Sequence, residues 1–173
     1  LHSGIITDAA ADLIRAGEMP FMCPNATTCS PALWKWYEKH KLAEKEFTDT
    51  KLLTIFMHGP GTIHTVKPAV TLEQLKDLKM RVGGSAVPIA KALGVAVVAM
   101  PATDAHEALQ RGTVTGVFFP WEAMDSFRLT EMVKHHLEIP GGLYSSVFAI
   151  VMNKTAFEKL TPANQAALMK VSG

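Results

Sequence analysis

The chain has 173 residues, of which 48% are hydrophobic and 19% are charged, with 12 glycines and 10 prolines. This is the composition of a folded chain with a hydrophobic core, and it excludes a disordered tail, a collagen-like repeat and a linker. The 17 Lys and Arg residues against 16 Asp and Glu leave a formal net charge of +1. Without a basic excess, the composition predicts no nucleic acid partner and no anionic membrane partner.

No apolar run approaches the roughly 20 residues that span a bilayer. The numbering begins at Leu1 without a basic and apolar leader, so we expect any secretory signal to precede it. Cys23 and Cys29 permit one internal disulfide, which persists only in an oxidising compartment. Two unpaired thiols are an equally open interpretation.

The first predicted elements are a helix and a strand. Ser30 as a cap and Pro31 in the first turn predict a helix over residues 30–45. An apolar run predicts a strand over residues 51–57, which ends in the breaker cluster His58-Gly59-Pro60-Gly61. We expect the two glycines around the proline to allow a backbone path that side chains with Cβ resist.

A regular alternation of short strands and helices follows. Thr71, three residues before Gln74, predicts a capping box, and later helices are predicted over 85–93 and 104–111. Gly94 and Gly112 are expected to end those two helices. Strands separated by single helices are typical of βαβ units and predict an α/β fold with a mainly parallel sheet.

The last predicted elements are a strand over residues 143–152 and a helix that begins with Thr161 and Pro162. That helix is predicted to continue as far as Gly173, and no first strand is predicted near Leu1. Both features lead us to expect that the sequence is a portion of a larger protein.

Arg81 is the first candidate binding residue. It ends a predicted strand, just before Gly83-Gly84 and the predicted helix that begins at Ser85. A guanidinium beside backbone N–H groups and a positive helix end suits a carboxylate. The alternative, that Arg81 is a surface or interlobe salt-bridge partner, stays open at this point.

Aromatic residues follow the next predicted strand. Phe118, Phe119 and Trp121 lie at its carboxyl end, where open α/β sheets bind ligands. Since strand neighbours face opposite sides, only one of Phe118 and Phe119 can face a cleft, and core packing is favoured for Phe118. The histidines and cysteines lack zinc spacing, and no nucleophile motif is present, so the sequence predicts neither a metal site nor a catalytic site.

Three separated blocks carry a family resemblance: LKDLKMRVGG, KALGVAVVAMPATDAHEALQRGTVTGVFFPWE and VMNKTAFEKLTPANQAAL. In order and spacing they resemble the substrate-binding proteins of TRAP (tripartite ATP-independent periplasmic) transporters. Upstream, GIITDAAAD and MPFMCPNAT…ALWKWYEKH resemble first-lobe segments of that family, with a shorter stretch between them.

The resemblance implies a two-lobe α/β fold of the periplasmic-binding-protein type (type II-like), here incomplete in its first lobe. Residues 1–54 would form part of the first lobe, residues 55–142 the second lobe, and residues 143–173 the return strand and helices of the first lobe. It also implies a periplasmic receptor without cofactor or catalytic activity, which binds a small organic carboxylate and delivers it to the membrane subunits of a TRAP transporter.

The family pattern assigns several site residues. Arg81 stands at the position of the family's carboxylate-binding arginine, and Phe119 stands where many members have a ligand-contacting asparagine. The segment from His58 to His64 replaces a stretch in which sialic-acid-type members carry a second arginine. We therefore expect a ligand with one carboxylate and an apolar or aromatic body.

Trp121, Glu122, His58 and Phe21 complete the expected ligand-binding set. A cationic His58 would attract the carboxylate, so we expect binding to weaken as the pH rises through about 6.5. Two alternative functions stay open. One is a ligand-sensing domain of a signalling protein with the same fold, and the other is an α/β enzyme that uses Arg81 as anchor and His58 or Glu122 as acid or base.

Overall fold

The computed structural model describes the backbone of residues 2–5 and all of residues 13–173. The chain forms two compact units. The first unit holds Leu1–Met19, Asn25–His58 and Ser146–Gly173, and the second holds Pro20–Pro24 and Gly59–Ser145. Residues 6–12, which belong to the GIITDAAAD segment, lie outside the described residues.

The first unit is built on an antiparallel sheet of three strands. Strand β8 (Val147–Asn153) lies between β1 (His2–Ile5) and β2 (Thr50–Met57). The expectation that no strand occurs near the start of the sequence is therefore wrong. A strand of four residues carries little pattern of its own, and β1 is defined by its pairing with β8.

Strand β8 begins four residues later than predicted. The backbone of Leu143 and Tyr144 forms hydrogen bonds with Gly61 instead. The Gly61 N–H donates to the Tyr144 carbonyl at 2.7 Å, and the Leu143 N–H donates to the Gly61 carbonyl at 3.4 Å. These bonds belong to the second unit. The apolar run that predicted one strand over 143–152 is thus divided between the two units, with residues 143–145 in the second unit and β8 in the first.

The helices of the first unit are α1 (Ala26–Lys39), α2 (Ala43–Glu46), α7 (Lys154–Glu158) and α8 (Pro162–Lys170). The predicted start of α1 is wrong, because the side chain of Asn25 caps this helix by accepting from Thr28 N. Ser30 lies inside α1 and its hydroxyl bonds the backbone of Met57 instead. Thr161 caps α8 as predicted, and this helix ends at Lys170 rather than continuing to the last residue.

The second unit contains a mixed sheet of five strands. Their order is β5 (Ala96–Ala99), β4 (Lys79–Val82), β6 (Gly116–Pro120), β3 (Gly61–Thr65) and β7 (His135–Leu137). Strand β4 is parallel to β5 and β6, whereas β3 is antiparallel to β6 and β7. The prediction of a mainly parallel sheet is therefore wrong, because β3 starts at the edge where β6 ends.

The helices of the second unit are α3 (Leu72–Leu75), α4 (Ala86–Ala92), α5 (Ala105–Gln110) and α6 (Trp121–Ser126). The capping box of α3 is confirmed, with both of its reciprocal bonds present. Gly94 and Gly112 have φ values of 75° and 68° just after α4 and α5. Both helices therefore end at a left-handed glycine, as predicted.

Hydrophobic side chains fill both faces of this sheet. Phe118 packs on one face with Ile63 and Met80, and Phe119 packs on the other with Val117 and Leu129. The predicted alternation of Phe118 and Phe119 is confirmed, and both side chains are buried. This fully packed sheet positions the residues at the carboxyl ends of β4 and β6.

Both cysteines, Cys23 and Cys29, are disulfide-bonded. The chain has no other cysteine, so the two are bonded to each other. The interpretation as unpaired thiols is thereby excluded. Among the described residues, none of the helices has the length and apolar character needed to cross a membrane.

Candidate functional site

Arg81 lies on β4 with only 5% of its surface exposed. Its Nε and Nη2 donate to the Met100 carbonyl at 3.2 and 3.1 Å, and its Nη1 donates to the Phe118 carbonyl at 3.4 Å. The ion pairs formed within residues 2–5 and 13–173 do not include Arg81. The alternative of a surface salt bridge is therefore wrong for the described part of the chain.

Burial lowers the pKa of Arg81, because desolvation disfavours the charged guanidinium, while Tyr144 and Asp104 act in the opposite direction. An arginine nevertheless keeps its charge in a protein. The site thus holds a buried cation whose described hydrogen-bond partners are uncharged carbonyls. A buried charge of this kind is costly until an anion compensates it, so the arrangement favours a carboxylate ligand.

Phe119 is the immediate aromatic neighbour of this cation. The Arg81 Cζ lies 4.2 Å from the centroid of the Phe119 ring, which is within cation–π range. Phe127 stacks on the same ring at 5.4 Å between centroids. The structure therefore brings Arg81 and Phe119 together, as the sequence led us to expect of two site residues.

Trp121 begins α6 and lies 46% exposed, just after the end of β6. Its Nε1 donates to the Glu138 carboxylate. Trp121 lines a cavity of about 480 Å³ whose other walls include Pro24, Pro60, Thr62 and Ile139. An aromatic face and several apolar side chains at the carboxyl end of β6 are suited to the apolar body of a small ligand.

A histidine pair that the sequence analysis missed lies beside Trp121. The fully buried His64 on β3 places Nε2 3.1 Å from the Phe119 carbonyl and Nδ1 2.8 Å from His136 Nδ1. The carbonyl can only accept, so His64 Nε2 carries a hydrogen. Burial lowers the pKa of His64 to about 4. Neutral His64 therefore accepts the hydrogen bond from His136 Nδ1. The only signal for this pair is the register of β3 and β7, which aligns His64 with His136 and is not readable from the sequence.

His58 and Glu122 hold backbone groups near the ends of β2 and β6. The His58 Nε2 accepts from the Ser146 N–H at 2.9 Å within the first unit. The Glu122 Oε1 accepts from the Gly59 N–H at 2.7 Å within the second unit. Each side chain thus has at least one structural hydrogen bond.

Phe21 is exposed and has a φ of 64°, with its N–H donating to the Gly142 carbonyl at 3.0 Å. It lies in the second unit with Arg81, Phe119, Trp121 and Glu122, whereas His58 lies in the first. Outside the undescribed positions 1 and 6–12, no cluster of three or more His, Cys, Asp or Glu residues has the arrangement of a metal site.

Comparison with known proteins identifies the family. The model of the bacterial extracellular solute-binding protein family 7, DctP, matches residues 5–172, and the chain belongs to this family. The resemblance inferred from the sequence blocks is thereby confirmed.

Two solved structures illustrate the similarity. A TRAP periplasmic solute-binding protein from Bordetella bronchiseptica, with bound (R)- and (S)-mandelate, is 39% identical with a TM-score of 0.89, and the match covers 99% of this chain and 55% of that one. A TRAP solute-binding protein from Rhodoferax ferrireducens T118, in complex with copurified benzoate, is 34% identical with the same TM-score and coverage. The α/β fold class of the periplasmic binding proteins is confirmed.

Among curated proteins, the outer membrane transporter protein TsaT of Comamonas testosteroni is 27% identical over 98% of this chain and 51% of its own length. The chain thus spans about half the length of the proteins that it matches over nearly all of its residues. These solved relatives are solute-binding receptors rather than enzymes.

Proposed function

We propose that this chain is part of an extracytoplasmic receptor that binds a small carboxylate through Arg81 and delivers it to the membrane subunits of a TRAP transporter. The observation that carries the proposal is the burial of Arg81 with carbonyl partners and, among the described residues, without an acidic one. A ligand carboxylate would supply the missing negative charge. It would also accept hydrogen bonds from the planar guanidinium.

In this proposal the two compact units belong to the two lobes of the receptor. The second unit would be the second lobe, and the chain would enter it after His58 and leave it after Ser145. Of the proposed ligand-binding residues, Arg81, Phe119, Trp121, Glu122 and Phe21 belong to the second unit, and His58 belongs to the first.

We propose an aromatic monocarboxylate as the ligand class. Mandelate and benzoate, found in the two similar structures, each combine one carboxylate with one phenyl ring. Arg81 would bind the carboxylate, and the Trp121 face with the neighbouring apolar residues would contact the ring. Apart from Trp121, the polar side chains that line this cavity are those of Thr62 and Glu138, which are few partners for a sugar acid with many hydroxyl groups.

A periplasmic location is consistent with two observations. The matching family is described as extracellular, and Cys23 and Cys29 are disulfide-bonded. Structural disulfides persist in oxidising compartments such as the periplasm.

The test is a binding screen on the full-length protein. Thermal shift and calorimetry would compare benzoate and mandelate with sialic acid and succinate, and chromatography would follow each acid for conversion. We expect the aromatic acids to stabilise the protein by about 2.7 kcal/mol at a hundred times Kd, without any product. Stronger binding of sialic acid or succinate than of the aromatic acids would contradict the proposed ligand class. Conversion of any acid would indicate an enzyme. Binding of none of the four acids would contradict the receptor function.

A further inference from the structure

The Phe119 ring is almost completely enclosed by protein. Only 6% of the residue is exposed. One neighbour of its ring is the Arg81 guanidinium, with Cζ 4.2 Å from the centroid, and another is Phe127, whose ring is stacked at an interplanar angle of 15°. Little of the ring surface remains for stacking on a ligand, in contrast to the expectation from the sequence.

Gly83 encloses the same guanidinium from another direction. A Cβ on Gly83 would lie 2.7 Å from Arg81 Nη2 and 3.3 Å from Cζ, and the first distance is shorter than any van der Waals contact. Gly83 is not among the residues with positive φ, so a Cβ at this position would displace the guanidinium rather than strain the backbone. The glycine thus provides the space in which the head of Arg81 lies.

The hydrogen bonds of Arg81 leave part of its donor capacity for a ligand. A guanidinium has five N–H donors. The described bonds use one donor on each of Nε, Nη1 and Nη2. One further donor on each terminal nitrogen has no acceptor among the described residues. These two remaining donors are available to the oxygens of a carboxylate.

We propose that Phe119 and Gly83 are positioning residues, which hold the Arg81 guanidinium in the orientation that binds a carboxylate, and that Phe119 does not contact the body of the ligand. This inference rests on the proposed receptor function. The ring fixes the plane of the cation, and the carbonyls of Met100 and Phe118 fix its rotation within that plane. The selectivity for the ligand body then depends on other residues.

The test uses two acids that share a carboxylate but differ in the ring, namely benzoate and cyclohexanecarboxylate. Calorimetry on the full-length protein would give both Kd values for the wild type, Phe119→Leu and Gly83→Ala. We expect Phe119→Leu to weaken the binding of both acids equally, by roughly 3- to 30-fold, for the loss of a desolvated cation–π contact. We expect Gly83→Ala also to weaken both acids equally, because the added Cβ would displace the guanidinium. The ratio of the two Kd values should stay within about twofold of the wild-type ratio.

Phe127→Leu is the matched control for folding. It removes the stacking partner of Phe119 from the same hydrophobic cluster but leaves the contact between Arg81 and Phe119 in place. We expect its affinity to stay near that of the wild type. A comparable loss in Phe127→Leu would show that Phe119→Leu acts by disturbing the core, and would overturn the proposal.

A double-mutant cycle with Arg81→Lys gives a second readout. Because Phe119 would act through the guanidinium, Phe119→Leu should have a clearly smaller effect in the Arg81→Lys background. Equal effects in the two backgrounds, or a loss confined to benzoate, would overturn the positioning role. If the wild type itself binds neither acid, the receptor function is wrong, and that outcome is distinct from the others.

Discussion

Two buried basic side chains lie on the strands on either side of β6, and they differ in the partners of their nitrogen atoms. His64 on β3 has a partner for each ring nitrogen, whereas Arg81 on β4 donates only to carbonyls. Both are at least 95% buried. The contrast is between a buried polar group with a partner for each nitrogen and a buried cation whose described partners carry no charge.

The physical reason for the difference is that His64 can lose its proton when it is buried, whereas Arg81 cannot. Burial lowers the pKa of His64 to about 4, so this residue is neutral at pH 7 and needs only hydrogen bonds. Burial also lowers the pKa of Arg81, but an arginine stays charged across the physiological range. A buried base that can lose its proton needs only hydrogen bonds, while one that cannot lose it is stabilised by a nearby anion.

The largest effect is expected from replacing Arg81. Arg81→Ala should nearly abolish carboxylate binding, with a loss on the order of 2–5 kcal/mol for one partner of a buried charge pair. Arg81→Lys should retain part of the affinity, because a lysine keeps the charge but not the planar fork. Calorimetry with benzoate measures both losses. Unchanged affinity in Arg81→Ala would remove the distinction between the two basic residues.

The stability of the protein should depend on pH through His64. The unfolded chain has a histidine pKa near 6.5 and the folded one about 4, so the unfolded state binds more protons between these values. Folding stability should therefore be fully present above pH 6.5 and fall by about 3 kcal/mol as the pH approaches 4. Urea unfolding at pH 7 and 4.5 tests this.

His64→Gln should flatten that pH dependence while leaving benzoate affinity within a few fold of the wild type. The half-buried His106, whose Nδ1 lies 3.0 Å from the Arg128 carbonyl oxygen, supplies the matched control His106→Gln. The same pH dependence in wild type and His64→Gln would show that His64 is not the group responsible. A loss of binding as large as that of Arg81→Ala would place His64 in the binding site.

A smaller effect is expected at Glu122, whose carboxylate already accepts from the Gly59 N–H. Glu122→Gln keeps an acceptor oxygen but loses the charge, so we expect a loss of stability of about 1 kcal/mol. Benzoate affinity should change less than in Phe119→Leu. A gain in affinity on removing this negative charge would place Glu122 close to the ligand carboxylate.

The smallest effect is expected at His58, for which the structure modifies the expectation from the sequence. His58 Nε2 accepts from the Ser146 N–H, and a doubly protonated ring could not accept this bond. We therefore expect benzoate affinity to be nearly flat between pH 6 and 8, in wild type and in His58→Gln alike. A decrease in affinity with rising pH that disappears in His58→Gln would restore the cationic role of His58.

The elements predicted correctly from the sequence are those whose signals lie within a few residues. The capping box at Thr71 and the glycines that end α4 and α5 depend on local backbone conformation alone. The start of α1 was wrong, since Asn25 and Ser30 are both suitable caps and only packing decides between them. Gly61, the first residue of β3, leaves no room for a side chain as expected, but the reason is tertiary: a Cβ there would lie 2.1 Å from the Tyr144 ring, while the φ of Gly61 is not positive.

By itself, the sequence determined the α/β class, the family and Arg81 as the first candidate for the carboxylate, since these depend on periodicity and on the order and spacing of three sequence blocks. Only the tertiary structure decided what surrounds Arg81. The contact with Phe119 and the bond between His64 and His136 join residues far apart in the sequence, through the register of neighbouring strands. Register is set by the burial of whole strand faces, so the partners of a buried polar group emerge only when the sheet is assembled.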